Sequence, residues 1–487
     1  MSLGLMLQGT GSDVGKSILV AGLCRALSKR GMIVRPFKPQ NMSNNAAVTE
    51  EGGEIGRAQA LQALACGIEP TIHMNPALLK PQSDVGAQII VHGKMIGLGT
   101  ASYYLENKSE LLTKVIESYE HLKKQADIVI IEGAGSPAEV NLRAGDIANM
   151  GFAEATNTPV ILIGDIDRGG VIASIIGTHK LLSKSEQELI QGYIINKFRG
   201  DISLFDAAHD TIIKHTGWKN CGVLPFVPEV KKLPAEDAVV LDHFVSNSHQ
   251  KITIAVPMLS RIANFDDLDP LIQESDVDVN FISPGKPIPA STHLIIIPGT
   301  KATLADLGFL KKQGWDIDIA AHIRRKGNVL GICGGYQMLG KKISDPEGIE
   351  GKDDHQEALG YLNIETIMQN EKTPRKTTAY APHLNCETEG YEIHIGKTTG
   401  PDTVRPFLEN DKNLGAMSEN GQIAGVYVHG LFVNDKFRAK FLSQFRNGKY
   451  QETAYSQEVE NALDTLAEKM EYHLEIEENY FWPLNIF

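Results

Sequence analysis

The sequence predicts two consecutive α/β domains, the first of them built on a doubly wound, mostly parallel sheet. Short apolar runs alternate with helical stretches from residue 3 to about residue 226, and the same rhythm resumes at residue 252. A polar stretch that contains Pro234 separates the two halves. At 487 residues the chain is long enough for each half to bury its own core. We expect a first domain at 1–230, a linker at 231–250, a second domain at 251–438 and a helical tail at 439–487.

The composition argues against several classes of protein. The chain is 42% hydrophobic and 22% charged, which is typical of a soluble globular protein, and no apolar run reaches the length of a membrane span. A formal net charge of −13 argues against nucleic acid as a partner. The five cysteines are scattered without a metal-ligand spacing, so reduced thiols are expected. We expect a cytoplasmic protein without a signal peptide or a membrane partner, and the oligomeric state stays open.

A glycine-rich loop follows the first predicted strand, residues 3–7, and opens a helix. Backbone N–H groups in such a loop attract phosphate, a lysine at its end reaches the terminal phosphates, and the next hydroxyl ligates Mg²⁺. The loop therefore predicts an ATP site with Mg²⁺. Its contacts would come from Gly11, Ser12, Asp13, Val14, Gly15, Lys16 and Ser17.

Polar residues also end the other predicted strands of the first domain, and ligands of open α/β sheets bind beyond those strand ends. Glu132 ends a buried apolar strand, where a carboxylate needs a compensating cation, so Glu132 and Glu54 join Ser17 as candidate Mg²⁺ ligands. Lys38 would neutralise a transferring phosphoryl group. Three alternatives stay open: a salt bridge or helix cap for Glu132, a solvated loop position for Glu54, and an ordinary surface position for Lys38.

A cysteine enters a tight turn between an apolar strand near residues 328–330 and a helix, in the stretch Gly331-Ile332-Cys333-Gly334-Gly335-Tyr336-Gln337. Such a turn exposes the thiol, while the helix N-terminus lowers its pKa and offers an N–H group to an oxyanion. His429 follows an apolar strand and is the candidate base. A buried, inert thiol and a structural histidine are the alternatives.

The first loop is one residue longer than the common G-x-x-x-x-G-K-[ST] motif, with Thr10 in place of its first glycine. In this it resembles dethiobiotin synthetase and its relatives, which activate a carboxylate with ATP. That resemblance makes Asn196 a candidate for holding the adenine base, although an asparagine after a strand is also a common turn residue.

The Gly-x-Cys-x-Gly-x-Gln pattern resembles class I glutamine amidotransferases, whose cysteine attacks the side-chain amide of glutamine and releases ammonia. The resemblance implies that Gln337 helps to hold glutamine. It also implies an oxyanion hole formed by Gly334 and the turn at Gly299 and Thr300. Most of these enzymes have a glutamate two residues after the histidine, where this chain has Leu431. The residue that orients the histidine is therefore left unnamed.

The two halves in this order resemble the corrinoid amidotransferases, the family of cobyric acid synthase and cobyrinic acid a,c-diamide synthase. Stretches at 38–45, 132–139, 141–143, 164–170, 196–201 and 390–394 favour the cobyric acid synthase branch. The resemblance implies that ATP and glutamine serve to amidate the b, d, e and g carboxylates of adenosylcobyrinic acid a,c-diamide through acyl phosphates. Candidate corrinoid-binding residues are Arg143, Asp146, Asp165 and Arg168, with Lys197 and Arg199 near by.

Rival functions stay open at this point. The same architecture would serve cobyrinic acid a,c-diamide synthase or the amidating partner of a cell-wall precursor. A nucleotide-switched binding module, like the partitioning ATPases, shares the first domain's core but has no use for a thiol at a strand-to-helix turn.

Overall fold

Two six-stranded sheets carry the two halves of the chain. The computed structural model describes residues 2–81, 86–100, 108–234, 252–350, 355–369, 374–446 and 453–474. Most of the predicted linker at 231–250 and the end of the predicted tail lie outside these residues. Among the residues described, no helix combines the length and apolarity that crossing a bilayer requires. The sheets and their covering helices confirm the predicted α/β fold class.

In the first half of the chain, six of the strands form one sheet, in the order β12-β11-β10-β1-β9-β2, and all neighbours in it are parallel. Its strands are β1 (Leu3–Gly9), β2 (Val34–Phe37), β3 (Gln40–Met42), β4 (Ala46–Val48), β5 (Glu54–Gly56), β6 (Ala77–Pro81), β7 (Gly86–Val91), β8 (Lys94–Thr100), β9 (Ile128–Glu132), β10 (Val160–Asp165), β11 (Ile190–Phe198) and β12 (Lys219–Pro225). Its helices are α1 (Lys16–Lys29), α2 (Arg57–Ala65), α3 (Lys108–Lys123), α4 (Met150–Thr156), α5 (Val171–Leu181), α6 (Lys184–Leu189) and α7 (Asp206–Thr216).

In the second half of the chain, six of the strands form one sheet, in the order β15-β13-β16-β18-β26-β25, and its neighbours are parallel except that β25 runs antiparallel to β26. Its strands are β13 (Ile252–Pro257), β14 (Ile262–Ala263), β15 (Val277–Ile282), β16 (Leu294–Ile297), β17 (Gly299–Thr300), β18 (Asn328–Ile332), β19 (Lys342–Ser344), β20 (His355–Glu357), β21 (Glu365–Ile367), β22 (Arg375–Ala381), β23 (Cys386–Glu392), β24 (Lys397–Thr399), β25 (Gly415–Met417), β26 (Ile423–Val426) and β27 (Val428–His429). Its helices are α8 (Asp269–Ile272), α9 (Thr303–Lys312), α10 (Trp315–Arg324), α11 (Gly334–Met338), α12 (Asp435–Ser443) and α13 (Tyr455–His473).

The central strands are largely apolar because helices cover both faces of each sheet. β9 reads Ile-Val-Ile-Ile-Glu and β16 reads Leu-Ile-Ile-Ile, and every residue of both is buried. The glycine-rich loop follows β1 and the cysteine turn follows β18, so each lies at the carboxyl end of its sheet. A smaller sheet, β3-β6-β7-β8, was not predicted, because its short strands come from residues whose local sequence lacks a clear alternation.

Helix α13 packs on α1, the helix that follows the glycine-rich loop. Leu463, Leu466 and Met470 are buried on its inner face, as their spacing predicts. The two helices approach so closely at Gly22 that a Cβ atom there would lie 2.2 Å from the sulfur of Met470. Arg25 adds ion pairs to Glu460 at 2.5 Å and Asp464 at 2.6 Å. These last two carboxylates therefore hold the C-terminal helix against the first domain.

We predict that Leu466→Ala lowers the free energy of unfolding by about 2–5 kcal/mol, because the substitution leaves a cavity between α13 and α1. Urea unfolding followed by circular dichroism measures the change. Leu204→Ala is the matched control, since Leu204 is 80% exposed whereas Leu466 is 1% exposed. Equal effects of the two substitutions would show that α13 does not stabilise the fold.

Candidate active site

Cys333 occupies the sharp turn between β18 and α11. Its backbone has φ 53° and ψ −109°, a left-handed conformation that is rare for a residue with a side chain. The turn needs glycine beside it, because a Cβ atom at Gly335 would lie 2.0 Å from the carbonyl oxygen of Ile297. The strained turn holds the thiol at the carboxyl end of the central sheet, as the sequence predicts.

His429, at the end of β27, is the partner of this thiol and hydrogen bonds to it. Its Nδ1 atom lies 2.7 Å from Oδ2 of Asp267, and Oδ1 of the same carboxylate accepts the backbone N–H of Gly430 at 2.6 Å. Burial alone would lower the pKa of His429, but the carboxylate of Asp267 and the adjacent Cys333 raise it to about 10. The arrangement favours the imidazolium form of His429 beside the thiol.

Asp267 is the functional residue that the sequence analysis missed. It lies in a 3₁₀ turn, Phe265–Leu268, and is 162 residues away from His429 in the chain. Leu431, which stands where related enzymes have a glutamate, is fully buried among apolar side chains. The one available signal was a pair of acidic residues, Asp266 and Asp267, inside an apolar segment. Together with Cys333, the histidine and this aspartate form the geometry of a triad.

The other residues predicted for the glutamine pocket surround Cys333. Gly299 lies close to the imidazole, because a Cβ atom added there would be 3.1 Å from Cε1 of His429. Gly334 lies close to the turn at Thr300, because a Cβ atom added there would be 3.3 Å from the backbone nitrogen of Thr300. The predicted oxyanion turn is therefore next to the thiol. Gln337 lines the same cavity; its amide donates to the carbonyl oxygen of Ile395 at 2.9 Å, to the Tyr427 hydroxyl at 3.2 Å, and accepts from Thr303 at 3.2 Å.

A cavity lies beside Cys333, and the first half of the chain contributes Gln88 to its wall. Gln88 is fully buried on β7, and neither atom of its side-chain amide has a hydrogen-bond partner within the described part of the chain. Lys301 also lines the cavity. Burial and the neighbouring Lys80 lower the pKa of Lys301 to about 8, against the opposing effect of Glu54. Both halves therefore build the pocket.

The glycine-rich loop forms a second centre around Glu132. Oε1 of this carboxylate accepts from the Ser17 hydroxyl at 2.7 Å and from the Lys38 ammonium at 2.8 Å. Gln62 and Gln59 donate to Oε2 at 2.6 and 3.3 Å. Burial would raise the pKa of Glu132, but Lys38 and these donors lower it, so the carboxylate is ionised. The structure thus brings together Ser17, Lys38 and Glu132. It also contains the salt bridge that the sequence analysis gave as the alternative role of Glu132, with Lys38 as the partner.

Lys16 begins α1, and its ammonium donates to the carbonyl oxygens of Gly11 at 2.9 Å and Gly135 at 3.0 Å. The lysine thus folds over the loop that the sequence predicts to bind phosphates. The hydroxyl of Ser17 and the carboxylate of Glu132 are hard oxygen donors, and this pair fits Mg²⁺.

Glu54 forms a buried ion pair with Lys80, at 2.5 Å, and acts electrostatically on Lys301, which lines the cysteine cavity. The β4–β5 hairpin carries Glu54, and the small sheet carries Lys80. The role of Glu54 as a Mg²⁺ ligand stays a prediction.

Asn196 and its neighbours support the glycine-rich loop. The amide of Asn196 donates to the carbonyl oxygen of Val14 at 2.8 Å. Lys197 donates to the carbonyl oxygen of Asp13 at 2.6 Å and to Asp165 at 2.7 Å. Arg168 is exposed and lies 3.5 Å from the carboxylate of Asp13. Ser12 is exposed at the tip of the same loop. Two of the four corrinoid candidates, Asp165 and Arg168, are therefore next to the predicted ATP site.

The other two corrinoid candidates lie beyond β9. Arg143 forms ion pairs with Glu154 and Glu186. Asp146 accepts the backbone N–H groups of Ala148, Asn149 and Gly151 at 2.8, 3.0 and 3.0 Å, and so shapes the start of α4. Both residues have local structural partners.

Comparison with known proteins assigns the family. Residues 5–240 match the CobQ/CobB/MinD/ParA nucleotide binding domain, and residues 253–437 match the CobB/CobQ-like glutamine amidotransferase domain. A cobyric acid synthase from Brucella anthropi is 55% identical over 478 residues, 98% of this chain and 99% of that protein. One from Mesorhizobium japonicum is 54% identical over 485 residues, 98% of each protein. The chain belongs to the cobyric acid synthase family.

Membership of the cobyric acid synthase family makes this chain a glutamine-hydrolysing ligase with a nucleotide-binding domain. The predicted family and enzyme class are confirmed. The individual roles of Cys333, His429 and the loop residues stay predictions that the geometry allows to be tested.

We predict that Asp267→Asn lowers glutaminase activity and moves the alkaline limb of its pH profile downward. A thiolate–imidazolium pair is lost as pH rises through the pKa of His429, which is about 10. Without the carboxylate that pKa falls toward its ordinary value of about 6.5, so the limb moves toward neutral pH. Glutamate release measured across pH tests this.

Asp411→Asn serves as the control for Asp267→Asn, because Asp411 is an exposed carboxylate of the same half of the chain. An unchanged alkaline limb in Asp267→Asn would exclude Asp267 from the triad.

Proposed function

We propose that this chain catalyses the ATP- and glutamine-dependent amidation of the b, d, e and g carboxylates of adenosylcobyrinic acid a,c-diamide. The observation that carries the proposal is the presence of two centres in one chain. One holds a thiol, an imidazole and a carboxylate in line, and the other holds Ser17, Lys38 and Glu132 beside a phosphate-type loop. A thiol centre and a phosphate centre together fit ammonia release coupled to carboxylate activation.

In the proposed glutaminase step, the thiolate of Cys333 attacks the side-chain carbonyl carbon of glutamine. The imidazolium of His429 gives its proton to the departing nitrogen, which leaves as ammonia, and a glutamyl thioester forms. N–H groups of Gly334 and of the turn at Thr300 stabilise the negative oxygen. Water then attacks the thioester, His429 takes the water's proton, and glutamate leaves.

In the proposed ligase step, a corrinoid carboxylate oxygen attacks the terminal phosphorus of ATP, the bond from that phosphorus to the bridging oxygen breaks, ADP leaves, and an acyl phosphate forms. Ammonia then attacks the acyl carbon, and phosphate leaves. Lys16 and Lys38 offset the negative charge of the phosphates, which is the largest electrostatic demand of this chemistry. Mg²⁺ held by Ser17 and Glu132 would supply further positive charge at the same place.

For the corrinoid, we propose binding near the carboxyl ends of β10 and β11. Arg168 is exposed there, and Arg199 lies over the ring of Phe226 at 3.7 Å while it pairs with Asp167 at 2.8 Å. Exposed guanidinium groups suit a substrate that carries several carboxylates. Arg143, Asp146 and Asp165 complete the proposed binding region.

We predict that incubation of the protein with adenosylcobyrinic acid a,c-diamide, ATP, Mg²⁺ and glutamine converts carboxylic acids to amides stepwise. Mass spectrometry detects each replacement of a hydroxyl by an amino group. Cys333→Ala should lose synthesis from glutamine but keep synthesis from ammonium, because the ligase centre does not need the thiol. Product formation from cobyrinic acid at the a and c positions would favour cobyrinic acid a,c-diamide synthase.

We predict that Glu132→Gln raises the Mg²⁺ concentration needed for half-maximal ATP turnover, because one anionic oxygen ligand is lost. ATP hydrolysis titrated with Mg²⁺ measures it. Glu139→Gln is the control, since Glu139 is an exposed carboxylate that follows the same strand. A lower turnover with an unchanged Mg²⁺ requirement would show that Glu132 pairs with Lys38 and is not a Mg²⁺ ligand.

A further inference from the structure

The two halves of the chain meet at the turn that carries Asp267. Arg57, the first residue of α2, reaches from the first half and places its Nε atom 3.0 Å from Oδ2 of Asp266. Asp266 directly precedes Asp267, and both carboxylates are buried. A guanidinium of the nucleotide-binding half therefore lies one residue away from the carboxylate that orients His429.

Two adjacent buried carboxylates repel each other, and one of them takes up a proton unless a cation compensates the pair. Burial raises the pKa of Asp266, and Asp267 adds to the rise, while Arg57 opposes it. Arg57 therefore bears on the protonation of Asp266, the direct neighbour of the carboxylate that faces His429.

Other titratable groups interact electrostatically with residues that contact this turn. Tyr391 stacks on His429 with ring centroids 5.4 Å apart. Cys333, Tyr455, Asp269 and His394 also act on His429 or Arg57. Arg57 on one side and His429 on the other oppose the rise in the pKa of Asp266.

A second contact attaches the same turn to the first half. The backbone N–H of Asn264 donates to Oδ1 of Asn45 at 2.6 Å, and the N–H of Ala46 donates to Oδ1 of Asn264 at 3.2 Å. Asn264 has φ 53° and immediately precedes the 3₁₀ turn. These reciprocal bonds fix the start of the turn, while Arg57 fixes its centre.

The other end of the connection lies at the phosphate loop. Helix α2 is nine residues long, and Gln59 and Gln62 on it donate to Glu132. Glu132 in turn accepts from Ser17 and Lys38. One short helix thus contacts the carboxylate beside the phosphate loop and the acidic turn beside the thiol.

We propose that Arg57 is a positioning residue of the glutaminase, supplied by the nucleotide-binding domain, and that α2 makes the triad respond to the state of the phosphate site. The proposal rests on the proposed triad of Cys333, His429 and Asp267. It gives a physical reason for coupling: a shift of α2 moves the guanidinium that pairs with Asp266, the direct neighbour of the carboxylate that faces His429.

Arg57→Met tests the positioning role. We expect it to move the alkaline limb of glutamine-dependent glutamate release to lower pH, and to reduce the rate by about tenfold for each unit by which the assay pH exceeds the lowered pKa of His429. Synthesis from ammonium should stay near the wild-type rate, which also shows that the variant is folded. A normal glutaminase rate with a normal pH profile would overturn the proposal.

The double variant Arg57→Met with Asp266→Asn separates charge from packing. With Asn at position 266 the turn no longer holds two carboxylates, so the double variant should regain much of the glutaminase activity that Arg57→Met loses. Asp266→Asn alone should lose less than Arg57→Met. A double variant no better than Arg57→Met would overturn the electrostatic argument.

Lys376→Met is the matched control for the interface. Lys376 forms another ion pair between the two halves, with Glu69 at 2.5 Å, and both side chains of this pair are exposed. We expect its glutaminase pH profile to be that of the wild type. The same shift in Lys376→Met as in Arg57→Met would show that docking in general, and not Arg57, is responsible.

The response to the phosphate site is measured as the ratio of glutaminase rates with and without ATP, Mg²⁺ and corrinoid. We expect these ligands to stimulate the wild type and to have little effect on Arg57→Met. Equal stimulation in both would exclude coupling through α2. Cys333→Ala separates the proposed triad from the proposed role of Arg57. Glutaminase activity that survives Cys333→Ala would contradict the triad. If Cys333→Ala abolishes glutaminase activity while Arg57→Met behaves like the wild type, only the proposed role of Arg57 is contradicted.

Discussion

Compensation of buried negative charge is the constraint on which both centres depend. Glu132 is ionised inside the first domain because Lys38 and several donors surround it. Asp267 is buried inside the second, where His429 faces it and Arg57 holds its neighbour Asp266. An uncompensated carboxylate at either place would cost several kcal/mol and would be protonated instead. The side chains around each centre are therefore fixed by charge as much as by packing.

The interface between the halves follows from the same constraint. The small sheet of the first half carries Lys80 and Gln88 toward the cysteine cavity, where Lys80 pairs with Glu54 and affects Lys301. The cavity is consequently lined by both halves and becomes complete only when they are docked. This composite wall gives the nucleotide-binding half direct influence over the pocket in which ammonia would be released.

Local patterns were enough to predict the glycine-rich loop, the cysteine turn and the residues that end β9 and β18, because chemistry at a strand end is encoded within a few neighbouring residues. The sequence could not predict Asp267 or Arg57, because their partners lie far along the chain and depend on how the two halves dock. The sequence named Glu54 as a candidate Mg²⁺ ligand with a solvated loop position as the alternative. It could not predict the buried ion pair with Lys80, because that pair depends on the pairing of β4 with β5 and on the small sheet.

The departure at Leu431 has a physical consequence for control. A carboxylate two residues after the histidine would be held inside the glutaminase domain, and the triad would be complete without the other half. Leu431 is instead buried in the apolar core, and the acid comes from a turn that Asn45 and Arg57 of the first half hold in place. Moving the acid to the interface makes orientation of the histidine depend on docking, which links ammonia release to the half that uses the ammonia.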